Sequence, residues 1–115
     1  MIAILLAAAL AAPAAADAEP GHLECNVGST VERIGGHDWI VHGCADGKSV
    51  VVVAGAPNPA SPFYFFLMPD GEGIILHGEG EGAKSATEPA YQQLREMSAQ
   101  DLARLFQKAA GAGER

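Results

Sequence analysis

The chain has 115 residues, with 7 Lys+Arg against 14 Asp+Glu, a net charge of −7 and about 49% apolar residues. That length suits one domain. The acidic balance argues against docking on nucleic-acid phosphates or anionic lipid, both of which need clustered Lys and Arg.

Residues 1–16 are apolar except for Pro13. The run Ile2–Ala12 is too short for a bilayer-spanning helix, which needs about 20 residues. The small residues Ala14-Ala15-Ala16 before Asp17, or Ala16-Asp17-Ala18 before Glu19, fit a signal-peptidase site. Residues 1–16 are therefore expected to be a cleaved signal peptide, and 17–115 one small domain. The chain is expected to be exported, to a periplasm or outside the cell, with an Ala-rich leader that suggests a bacterial source. The leader lacks an early Lys or Arg, so a start upstream of Met1 is allowed for. Without residues 1–16 roughly two-fifths of the chain is apolar, an ordinary value for a globular domain.

Two cysteines, Cys25 and Cys44, remain in the expected mature chain. An even count in an exported protein reads as a disulfide. Gly35-Gly36 between them suits a hairpin turn. Pairing about that turn leaves the cysteines offset by two positions, which a bulge at Gly28 or a wider loop would reduce. The rival reading, Cys44 as a nucleophile with His42 as its base, conflicts with an oxidising compartment and an available partner thiol.

Leu23–Val27 alternates apolar and polar as a half-exposed strand does. Thr30–Ile34 and His37–Cys44 flank the Gly35-Gly36 turn. Asp46-Gly47 is a second hairpin signal before Ser49–Ala54, where four consecutive valines favour a strand. Gly55–Pro62 is a loop on its Pro content. Phe63–Met68 and Ile74–His77 are strands joined by a turn at Asp70-Gly71. Thr87 is expected to cap a first helix, with Pro89 in its first turn and Ala90, Leu94 and Met97 as its apolar stripe. Ser98-Ala99-Gln100-Asp101 resembles a capping box. It opens a second helix with Leu102, Leu105, Phe106 and Ala109 on one face and Gly111 as its stop. Asp17–Gly21 and residues 111–115 are expected to fray. The fold class is α+β: an antiparallel sheet of about five strands in hairpins or a meander, then two C-terminal amphipathic helices on one face.

Three features bear on chemistry. Gly78–Ser85 matches the phosphate-binding loop G-x-x-x-x-G-K-[ST] except at Ala83. Glu79 and Glu81 have the wrong charge for a polyanion cradle, so the string reads as a Gly-rich acidic connector. His42, His77 and Glu79 are of the types that bind Zn or Cu, but no metal-ligand spacing pins them together. This metal site is the alternative reading, and no cofactor is expected on the leading one. No nucleophile with a traceable triad is present, so an enzyme is the less favoured class.

The third feature is an apolar surplus. Val50–Val53, Phe63–Met68 and Ile74–Leu76 are apolar on both parities, whereas a sheet with one wet face alternates. Two helices can cover one face. The other, carrying Tyr64, Phe66 and Met68, needs the N-terminal hairpin folded across it, a second copy, or a partner. The leading expectation is a non-enzymatic domain that binds a protein partner (a homodimer included) or a small apolar ligand through that face, with no nucleic acid and no membrane involved.

Overall fold

The computed structural model describes residues 23–113, so the leader and Asp17–Gly21 lie outside the described residues. Five strands form one antiparallel meander: β1 Val27–Ile34, β2 His37–Gly43, β3 Val50–Ala54, β4 Phe63–Asp70 and β5 Gly73–Gly80. Two helices follow, α1 Lys84–Leu94 and α2 Ala99–Gly113, and pack against the sheet. The expected α+β architecture is the observed one.

Alternation sorts each strand into two faces. Trp39, Val41, Val50, Val52, Phe65 and Leu67 point inward and are buried together with Leu94, Leu102, Phe106 and Ala109 of the helices. Trp39 donates its indole N–H to the Ile34 carbonyl at 3.0 Å, and its ring lies 5.4 Å from that of Phe65. That hydrogen bond offsets the desolvation cost of placing the indole N–H in the core. Phe106 packs so closely on Gly43 that a Cβ there would lie 2.8 Å from the ring.

β1 starts at Val27, and Leu23–Asn26 is not a strand. The ladder shifts register at Gly28, whose φ is 69°, so that Val27 faces Gly43. This bulge removes one residue of the cysteine offset. The ladder ends there, and Cys25 and Cys44 are joined in a disulfide. Cys44 is therefore not a free nucleophile.

The N-terminal hairpin extends the sheet as its outer two strands and does not fold across it. β5 runs three residues past His77 because Tyr64 and Phe63 pair with Glu79 and Gly80. α1 begins at Lys84, three residues before the expected cap. Ala83 takes the N-cap position without a side-chain bond, and Thr87 is buried one turn inside. Burial of Ala86, Thr87, Ala90 and Leu94 along one side extends the helix backwards past its sequence cap. The capping box of α2 is present: the Ser98 N–H donates to Asp101 Oδ2 at 2.9 Å and the Asp101 N–H to Ser98 Oγ at 3.0 Å. Helix α2 continues through Gly111 to Gly113. Its start is tied to the β4–β5 turn by the Ala99 N–H, which donates to the Glu72 carbonyl at 3.0 Å.

Candidate functional site

Both helices lie on one face of the sheet, and the other carries a continuous apolar field. Cross-strand pairing sets its rows. One runs Val31, Ile40, Val53, Tyr64, Glu79. The next runs Ser29, His42, Val51, Phe66, His77. Met68 and Ile75 extend the field on β4 and β5. Val31 is 62% exposed, Ile75 47% and Tyr64 37%, while Ile40, Val51, Val53, Phe66 and Met68 are half-buried. Among the described residues no element packs over this field. The predicted surface residues Tyr64, Phe66 and Met68 all lie on it.

The field deepens into a groove of about 670 Å³, open to solvent, at the end of β3–β5. Val51, Val53 and Phe63 contribute apolar walls, and Tyr64, Glu79 and Glu81 line it as well. One wall is the Gly55–Pro62 loop, which is built by a buried side chain. Asn58 donates from Nδ2 to the Asp38 carbonyl at 2.9 Å and accepts from the Ala60 N–H at 2.8 Å. The connector 81–83 zips onto this loop: the Glu81 N–H donates to the Pro62 carbonyl at 2.9 Å and the Ala83 N–H to the Pro59 carbonyl at 3.2 Å. A Cβ at Gly82 would collide with the Ala60 backbone. The glycine there serves close packing, and the phosphate-loop likeness is explained without a phosphate.

Polar groups at the groove are few. The Tyr64 hydroxyl donates to Glu79 Oε1 at 2.8 Å, and His77 Nε2 stands 3.6 Å from the same oxygen. The hydrogen bond to Glu79, and the negative charge of that carboxylate, push the Tyr64 phenol above its ordinary pKa. His42 is not brought to this pair. It shares a row with His77, but Val51 and Phe66 stand between them. Three strand spacings of about 4.8 Å put the two backbones about 14 Å apart. Among the described residues no three His, Cys, Asp or Glu side chains converge as a metal site.

Leu23 and Cys25 reach the lower edge of the field, where they line a cleft with Val51, Tyr64, Phe66 and His77. That placement was not legible in the sequence. The groove roles of Val51 and Val53 had a signal, the unbroken valine run, but its outward parity needed a register. Comparison of the chain with protein-family models, curated proteins and solved structures gave no match.

Proposed function

We propose that this chain is an exported, non-enzymatic binding module whose open sheet face docks an apolar partner surface. One observation carries the reading: β3 and β4 are apolar on both faces, and the helices cover only one. A contiguous exposed apolar patch of several hundred Å² marks interaction sites on globular domains. The open apolar face and the groove at its end support binding as the activity of this geometry. The Cys25–Cys44 bond supports export to an oxidising compartment such as a bacterial periplasm, where disulfides persist. Among the described residues no helix is long and apolar enough to cross a membrane.

The test is a fluorescence titration with Nile red, a neutral apolar dye, on the wild type and on Val53→Asn/Phe66→Asn. Saturable binding by the wild type that is weakened about tenfold or more in a still-folded variant supports the reading. Equal binding by both proteins, or none by the wild type, overturns it.

A further inference from the structure

The groove at the end of β3–β5 has one sign of charge. Glu79 and Glu81 line it, and among its lining residues there is no Lys or Arg. His77 stands beside the rim, its Nε2 3.6 Å from Glu79 Oε1, and the nearest Lys or Arg on the outer face by register is Arg33. It lies on the opposite edge strand and is already paired with Asp38 at 3.3 Å. Val51, Val53 and Phe63 form an apolar bed beside the two carboxylates. An occupant that fits both parts presents apolar side chains to the bed and a cation to the rim. We propose that the groove takes a peptide segment of a partner protein that is apolar on one side and carries Lys or Arg beside it. This rests on the docking reading above and names the chemistry of the partner.

Two properties favour such a segment over other occupants. The groove is open along its length, so a compact ligand would keep much of its surface in water, whereas small-molecule sites enclose most of theirs. A helix or extended segment laid across a sheet face buries its apolar side and leaves the rest solvated. A second copy of this chain would bring another −7 charge and stack like-charged faces, which opposes association. Electrostatic complementarity at a rim selects among apolar partners of similar shape more than it adds raw affinity. The Glu79–Tyr64 hydrogen bond holds one carboxylate in place at the groove.

The experiment is calorimetric titration at about 0.15 M salt, where long-range attraction is screened beyond about 8 Å. Two synthetic peptides of equal length and equal Leu content serve as probes, one carrying Lys and the other Glu. The protein variants are Glu79→Gln/Glu81→Gln, Val53→Asn, and a control, Glu88→Gln/Glu96→Gln, with the same charge change outside the groove. The expected result is binding of the Leu/Lys peptide and about tenfold weaker binding of the Leu/Glu peptide, the modest selectivity that exposed rim pairs supply. Glu79→Gln/Glu81→Gln and Val53→Asn each weaken the Leu/Lys peptide, and the control does not. An equal loss in the control overturns the proposal in favour of diffuse attraction to net charge. Equal affinity for both peptides, lowered by Val53→Asn, removes the basic partner and leaves the apolar docking reading standing. Failure of both peptides where Nile red binds also removes the peptide and spares that reading. Binding indifferent to Val53→Asn sinks both. Sedimentation showing a dimer that Val53→Asn dissociates would instead seat a second copy on the face and overturn the basic-segment proposal.

Discussion

Tyr64 and Glu79 face each other across the β4–β5 ladder, and the phenol donates a 2.8 Å hydrogen bond to the carboxylate. The bond requires the phenol to keep its proton next to a negative charge, so Tyr64 titrates above the ordinary 10.0. A phenol whose folded pKa is raised stabilises the fold below its unfolded value, and that contribution is lost as pH rises through the folded one. Ultraviolet titration of a Tyr91→Phe protein, which leaves Tyr64 as the remaining tyrosine, should show ionisation above pH 10. Glu79→Gln should move it back towards 10, and an unmoved titration would show that the bond does not form in solution.

Among the described residues, two carboxylates have pKa values lowered by their partners. Asp46 is partly desolvated, which raises its pKa, but the Ser49 hydroxyl and the backbone N–H groups of Ser49 and Lys48 together hold it below 3.8. Asp101 is held low by the Ser98 N–H and hydroxyl and then by Arg104. Groups with depressed folded pKa values contribute stability that is complete above the unfolded value and is lost as pH falls through the folded one. Both contributions are therefore present at neutral pH and fade below about pH 4. Ser98→Ala removes the hydroxyl cap and should cost about 1 kcal/mol in urea unfolding at pH 7. The Asp101→Asn protein should lose less stability than the wild type on going from pH 7 to pH 3.

The Cys25–Cys44 bond closes a loop with a sequence separation of 19. In the chain-entropy model a loop of this size is worth about 3 kcal/mol. Unfolding of the Cys25→Ser/Cys44→Ser protein should show a loss of that order. The unreduced wild type should give no reactive thiol, and two after reduction under denaturing conditions.

Adjacent residues test the two faces directly. Phe65 is 1% exposed in the core, and Phe66 lies half-buried on the open field. Phe65→Ala should destabilise by about 3–5 kcal/mol, in the range for emptying a core aromatic site. Phe66→Ala should cost markedly less and reduce Nile red binding. Equal costs would mean that something covers Phe66 in solution.

Much of the fold was readable from local chemistry. Gly35-Gly36 marks a turn because both residues supply positive φ, and Gly71 does so at the β4–β5 turn. That turn falls at Gly71-Glu72, one residue later than Asp70-Gly71, because Asp70 still pairs with Gly73. Ser98 with Asp101 marks a helix start because each side chain reaches the other's N–H. The start of α1 was not readable. Thr87 is the better capping residue, yet burial of Ala86 and the fit of Gly82 against Ala60 place the helix earlier. Propensity gave way there to packing with a loop more than 20 positions away.

The candidate site divides the same way. Apolar residues on both parities of β3 and β4 announce that two faces need cover, and that is a property of the sequence alone. Which face the helices take, whether the N-terminal hairpin folds over the other, and where Glu79 stands relative to Tyr64 and His42 depend on register. Register is a long-range quantity: each strand pairing fixes where the side chains of the next strand stand, and the bulge at Gly28 moves Val27 opposite Gly43 at the end of the first ladder. The sequence by itself thus determined the five strands of the sheet, though not that Leu23–Asn26 lies outside them, together with the Gly35-Gly36 turn, the disulfide partners and the apolar surplus. Only the tertiary structure decided that, among the described residues, neither the helices nor the N-terminal hairpin lies over the second face, because covering a face is settled by how distant elements pack together.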